Sequence, residues 1–496
     1  MRVNYSARRA LVNGGVSALQ VVVISGVLLV SYRLAVQSVG QHDFGLYSLY
    51  FAFGTLTQVG SLGFGVGAAR HVAVAWGQGR QHDLRPLIVV SVAITFVGAV
   101  VMSGIIYAGL HAYAAASLSA GDRHLAGQLA PVVLAAACLT PVSTTAQGLM
   151  DGTSRSYVRA GVVMSASMVY LAVVIIWLPS HGVIALAYGT LAQQACVVVF
   201  LLGYVAYLSR GTSTGLRAPS NLREVTRYNL KLHVLTVPTL AYEPLAKGLL
   251  DAFAGLSAIA YYEIANRLLQ QVSALVHAAN QAIVPVVAVR ASTGSLRPAE
   301  AFRKSLQAIF PLTILGFGGA LIVLPLVATF VFDETSATVV WFGVLLAVGW
   351  IANCLCGPAY FVGVTIDEFR INIAASYLML AVIAVAGAGL GAVFGGYGLA
   401  AGVALALVAG SVLVNGHFIR KCGLRVRELL PADQIGFALV AALLVVVTLV
   451  LAVTVEVDRL LLTTFVGAAA LMVLGAAVSV RHPLIKELRT RADHVS

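Results

Sequence analysis

Apolar residues run along this chain in uninterrupted blocks of twenty or more, separated by short polar breaks or by glycine and proline. A crossing of the hydrocarbon layer takes about 20 apolar residues in a helix. The pattern predicts fourteen such helices, over residues 13–36, 44–67, 86–112, 126–149, 157–178, 183–208, 232–254, 257–289, 306–331, 338–363, 371–393, 397–419, 434–455 and 460–480. Continuous runs of this length exclude a transmembrane barrel, whose strands alternate apolar and polar positions. The run from about Gly14 to Tyr32 follows Arg2, Arg8 and Arg9 and resembles a signal peptide. It is long for one, and no small-x-small site precedes the polar stretch Gln37 to Asp43, so it is expected to stay as an uncleaved first span.

Positive charge tests the count independently, because Lys and Arg gather in cytoplasmic loops. With the N-terminus inside, 26 of the 31 Lys and Arg residues fall on the inner side. Arg33, Arg123 and Arg459 fall on the outer side, and Lys247 and Arg267 fall within spans. A missed helix would scramble that bias, so both termini are expected in the cytoplasm, with the protein in the cytoplasmic membrane.

Composition agrees with the pattern. Hydrophobic residues make up 59% of the 496 positions and charged residues 10%, against about 25% charged in a soluble domain. The formal charge of +12 follows from the loop bias and calls for no nucleic-acid partner. Five cysteines, four of them in apolar stretches, read as core filler. Cys354 and Cys356 are two apart and face different sides of a helix, so no metal site is expected there. Loops this short exclude a separate catalytic domain. The glycine runs at Gly63 to Gly67 and Gly387 to Gly391 follow no strand, and no phosphate-loop pattern exists, so no nucleotide cofactor is expected. Gly387, Gly391 and Gly395 have the four-residue spacing that lets membrane helices approach closely.

The stretch Val39 to Tyr47 can be laid over Ala254 to Tyr262 at a constant offset of 215, with Gly40 on Gly255 and Tyr47 on Tyr262. Pro141, Gly148 and Arg155 are echoed by Pro358, Gly363 and Arg370. Spans 1–6 therefore look duplicated as spans 7–12, which predicts two six-helix lobes related by an axis along the membrane normal, around a central cavity. The expected organisation is an N-terminal lobe over 1–208, a cytoplasmic linker over 209–231, a C-terminal lobe over 232–419, a cytoplasmic loop over 420–433, two further helices over 434–480 and a cytoplasmic tail over 481–496.

Five ionisable residues lie within spans 7 and 8, where each costs from about 2.5 kcal/mol upwards. Glu243, Lys247 and Asp251 are spaced i, i+4, i+8; Glu263 and Arg267 are spaced i, i+4. In a hairpin turning near Gly255, Glu243 lies level with Arg267 and Lys247 with Glu263. One reading makes these salt bridges that pin the hairpin. The other places Lys247 and Arg267 on a cavity wall, binding a diphosphate or acidic sugar, with Glu243, Asp251 and Glu263 as gating or coupling carboxylates for H+ or Na+. Pro238 and Pro244 interrupt span 7 and suit a bending gate. Tyr47, Asn266 and Gln270 are candidate sugar contacts, against interfacial or helix-to-helix roles. His233 and His277 read as neutral, hydrogen-bonded histidines or as proton relays.

Two segments carry a family resemblance: Val39 to Ala73, with F-G-L-Y at Phe44 to Tyr47 and G-S-L-G-F-G at Gly60 to Gly65, and Leu249 to Leu268. Both resemble the polysaccharide transporters of the multidrug/oligosaccharidyl-lipid/polysaccharide exporter superfamily. The resemblance implies a flippase moving a polyprenyl-diphosphate-linked oligosaccharide from the inner to the outer leaflet by alternating access, beside membrane lipids and a polysaccharide assembly machinery. It also implies that the last two helices form a groove for the lipid tail. A multidrug or cation antiporter of the same superfamily would carry acidic residues in its first span, which has none here. A lipid II flippase would carry arginines deep in its first helices, where this chain has Arg33 near one end. A membrane polymerase or ligase would need a large outer loop.

Overall fold

The computed structural model describes residues 7–61, 72–73, 84–152, 156–208, 222–292, 298–333, 336–365, 369–454 and 457–481. The glycine run at Gly63 to Gly67, the linker residues 209–221 and the tail 482–496 lie outside the described residues. Every described element is helical. Ten helical segments are long and apolar enough to cross a membrane. The chain is a multi-pass membrane protein.

Two of the ten are too long for one crossing, and glycine explains both. Leu19–Ser61 spans 43 residues and Arg370–Cys422 spans 53. Within α1 (Ala7–Thr55) the backbone leaves helical geometry at Gly40, with φ 82° and ψ 172°. A side chain at such a φ would clash with its own backbone, so only glycine turns a chain there at little cost. The break falls inside the polar stretch Gln37 to Asp43 that separates the first two expected spans. A second break occurs at Gly395 (φ 59°), between the expected spans 371–393 and 397–419.

The first compact unit comprises residues 1–251 with 255–260. It contains α1, α2 (Leu84–Ser117), α3 (Ala120–Gly152), α4 (Ser156–His181), α5 (Ile184–Leu208) and nearly all of α6 (Leu222–Ala254). Helix α3 packs against α2 and α5, and α4 packs against α5 and α1. Ala146, Leu149 and Met150 of α3 meet Val163 and Ala166 of α4 and Val197 and Leu201 of α5 in one core cluster. Where α2 passes the end of the first long helix the two backbones touch: a Cβ on Gly60 would lie 2.1 Å from the Gly98 carbonyl oxygen.

The second unit comprises 252–254 and 261–496. It holds most of α7 (Leu256–Ser292), then α8 (Pro298–Phe332), α9 (Ala337–Thr365), α10 (Phe369–Val382), a π-helical turn at Ile383–Gly387 and α11 (Ala388–Cys422). The single turn α12 (Val426–Leu429) leads to α13 (Ala432–Thr454) and α14 (Val457–Arg481). Helix α9 packs against α8 and α11, and α10 packs against α11. Those pairings repeat the scheme of α3 with α2 and α5 in the first unit. Of the spaced glycines, Gly387 is a point of close approach, since a Cβ on Gly402 would sit 2.4 Å from its Cα, while Gly395 makes the turn. Helices α13 and α14 pack on each other and on α8, while Leu439, Leu443, Leu462 and Phe465 stay exposed, as lipid-facing side chains must.

Helix α6 starts ten residues before the expected span, at Leu222. At 33 and 37 residues α6 and α7 are long enough to cross, and they carry the intramembrane charges. Gly255 joins them at φ 79°, close to the 82° of Gly40, its counterpart in the offset of 215.

Candidate functional site

Span 7 was expected to line its charges along one face, and α6 does so within the first unit. Lys247 is fully buried, at 0% exposure. Its Nζ lies 2.9 Å from Glu243 Oε1, one turn back, 3.0 Å from Ser48 Oγ and 3.3 Å from the Ser48 carbonyl oxygen. In this structure Lys247 pins α6 to α1. Four residues on, Asp251 accepts a hydrogen bond from the Tyr113 hydroxyl at the end of α2. Tyr113 also packs on Phe53, whose ring lies 3.7 Å from where a Cβ on Gly248 would stand. Pro238 and Pro244 both lie inside α6.

In the second unit Glu263 and Arg267 form their own pair along α7. Arg267 Nε and Nη2 both donate to Glu263 Oε1, at 3.1 and 2.9 Å. The two side chains differ in access: Glu263 is 3% exposed and Arg267 25%. The pairing along its own helix fixes the guanidinium, while a quarter of the side chain stays exposed, so Arg267 combines fixed position with access.

The candidate sugar contacts separate. Tyr47 lies inside the first unit, stacked on Phe51 with centroids 5.9 Å apart and its hydroxyl 3.3 Å from Thr190 Oγ1. Its ring is a packing element here. Asn266 is buried and accepts from Trp350 Nε1 at 3.0 Å, while its Nδ2 has no partner among the described residues. Gln270, one turn along α7, is half-buried. His233 is buried and His277 is hydrogen-bonded to Asn353. No group of three or more His, Cys, Asp or Glu side chains converges among the described residues.

Sequence reasoning passed over Ser48, Tyr113 and Trp350. A serine inside an apolar span, and a tyrosine or tryptophan whose polar tip must be satisfied, are the signals that mark such residues. Neither says which distant charge will be the partner.

A family described as "Polysaccharide biosynthesis protein" matches residues 10–289. No curated protein matches the chain. Solved structures share the fold. A lipid II flippase MurJ in an inward closed conformation is 11% identical with a TM-score of 0.67, covering 95% of this chain and 99% of its own. An inward-facing multidrug resistance MATE family transporter of the MOP superfamily is 15% identical with a TM-score of 0.66, covering 81% and 98%. A MOP superfamily transporter from Pyrococcus furiosus, described as having a binding pocket of reverse polarity, is 16% identical with a TM-score of 0.56, covering 84% and 94%. Crossing-length helices with ion pairs held inside them define a multi-pass membrane protein, in a fold shared with a lipid II flippase and with multidrug transporters. Within that class the chain belongs to the polysaccharide biosynthesis protein family.

Proposed function

We propose that this protein moves a polyprenyl-diphosphate-linked oligosaccharide, the repeat unit of a polysaccharide, from the inner to the outer leaflet of the cytoplasmic membrane by alternating access. It does so with fourteen spans and both termini in the cytoplasm. The fourteen comprise the ten apolar segments, two of them doubled by the turns at Gly40 and Gly395, together with α6 and α7. The observation that carries the substrate class is Arg267, a positioned and accessible cation inside a crossing helix, in a chain of a polysaccharide biosynthesis family. A diphosphate needs such a group to leave water, and a neutral or cationic drug does not. Lys247 becomes available to an anion only after its bonds to Ser48 and Glu243 open. Glu243, Asp251 and Glu263 are the carboxylates that couple or gate, with H+ or Na+ as the driving ion, and the polysaccharide assembly machinery receives the product.

The test replaces Arg267 with Gln in cells and follows lipid-linked intermediates by leaflet. Accumulation in the cytoplasmic leaflet with loss of surface polysaccharide, at normal membrane levels of protein, is the expected result. Unchanged export would remove Arg267 from head-group binding.

A further inference from the structure

Along α7 the positions 266, 270, 273, 277 and 280 recur at steps of four and three, the spacing of one helix face, and all five are polar: Asn, Gln, Ser, His and Asn. Within the second unit this face meets α9 through side chains. Trp350 Nε1 donates to Asn266 Oδ1 at 3.0 Å. Cys354 Sγ donates to Ser273 Oγ at 3.4 Å. Asn353 is hydrogen-bonded to His277. Gly357 leaves room for Asn280, since a Cβ there would lie 2.5 Å from Asn280 Nδ2. From Asn266–Trp350 to Asn280–Gly357 the numbers rise on both helices, so the two run parallel, and the contacts cover about 21 Å of α7 and about 10 Å of α9 at 1.5 Å per residue.

The seam is polar but incompletely satisfied. Asn266 is 1% exposed and Asn280 2%, and the Nδ2 of each lacks an acceptor among the described residues. Buried amide donors without protein partners are ordinarily met by ordered water, which needs a polar lining with several partners. One orphan donor stands at each end of the seam, and a hydroxyl, a thiol and an imidazole stand between them.

We propose that a file of water threads this seam and that His277 is the protonatable station on it, making α7 and α9 the route of a coupling proton. This deepens the flippase reading and rests on it. The imidazole takes a proton from seam water at the ring nitrogen that Asn353 does not hold and returns it to seam water from that same nitrogen, so charge moves with the proton and the bond to Asn353 is kept. The surroundings leave His277 as the station. On α9 the titratable groups are Cys354, Cys356 and Tyr360; α8, which meets α7 where Gly316 faces Val272, has no titratable side chain between Lys304 and Phe332. The charges of α7 nearest on the Asn266 side, Arg267 and Glu263, stand about 15 and 21 Å along the axis. Neutral imidazole is the one side chain here that gains and loses a proton near neutral pH.

Two measurements on the full chain in liposomes test this. Hydroxyl-radical footprinting by brief water radiolysis should oxidise Cys354, after normalising for intrinsic side-chain reactivity, at least five-fold faster than the equally buried Phe302 and Phe317, because radicals form from adjacent water. With pyranine inside and an imposed pH gradient, wild type should take up protons and His277→Gln should lose at least nine-tenths of that uptake. Glutamine keeps a hydrogen bond to Asn353 but carries no proton, so its melting temperature should match wild type. Footprinting rates equal to those of the phenylalanines, or proton uptake by His277→Gln equal to wild type, would overturn the proposal. Neither measurement uses the lipid-linked substrate, so failure here is distinct from failure of the Arg267 experiment.

Discussion

Lys247 Nζ is fixed 3.0 Å from Ser48 Oγ, a partner 199 residues earlier in the chain. Glu243 Oε1 and the Ser48 carbonyl oxygen are further acceptors of the same buried ammonium. Removing one member of a buried pair strands the other and costs about 3–5 kcal/mol. Lys247→Met should therefore lower the melting temperature in detergent by several degrees, and adding Glu243→Gln should recover much of the loss. A single variant that melts with wild type would show that the pin carries no stability.

The pair on α7 should separate position from charge. Arg267→Ala removes a paired cation from Glu263, which is 3% exposed, so both stability and export should fall. The double variant Glu263→Gln, Arg267→Gln has no stranded charge and should recover stability while export stays lost. Recovery of export in the double variant would make the pair purely structural.

Gly357→Ala should be costly for its size. The added Cβ would stand 2.5 Å from Asn280 Nδ2 and 3.0 Å from its Cγ, closer than van der Waals contact permits. Overpacking of this kind costs about 1–3 kcal/mol. Asn280→Ala in the same chain should relieve it, read as a coupling energy in a double-mutant cycle of thermal unfolding. Additive effects would place Asn280 elsewhere.

Near the turn at Gly40, His42 Nε2 lies 2.8 Å from Asp122 Oδ1, and Ser119 Oγ donates to Asp122 Oδ2 at 2.6 Å. Burial raises the Asp122 carboxyl, but the hydrogen bonds from Ser119 and His42 outweigh it and hold the group below its ordinary 3.8. A depressed carboxyl contributes stability that is present above the unfolded value and lost as pH falls through the folded one. Asp122→Asn should accordingly lower the melting temperature at pH 7 and lower it progressively less as pH falls below 3.8. Asp43 has the opposite sign, because burial raises it in spite of His42, so Asp43→Asn should raise the melting temperature at pH 7. Equal effects of either substitution at pH 7 and below pH 3.8 would remove ionisation as the cause.

How far the sequence speaks depends on the range of the interaction. The turns at Gly40 and Gly255 were legible because a positive φ is a local demand that glycine alone meets cheaply, whereas Gly395, read as a packing glycine, makes a turn as well. The i, i+4 pairs Glu243–Lys247 and Glu263–Arg267 were legible as shared faces for the same reason. Tyr47 was not, because a tyrosine near a helix end reads alike whether it meets a head group, a sugar or Thr190. The start of α6 at Leu222 was hidden as well, since its first turns are polar and an apolar count begins only where they end.

The order of residues by itself determined that this is a helical membrane protein, where its chain bends and which residues recur across its duplication. In lipid each helix must satisfy its own backbone and present apolar side chains, and both demands are written locally. Tertiary structure alone decided that Ser48 occupies Lys247, that Tyr113 holds Asp251, and that five polar positions of α7 meet α9 along one seam. Those partners lie far off in the chain, and a buried donor takes whichever acceptor packing brings within 3 Å, which no periodicity records.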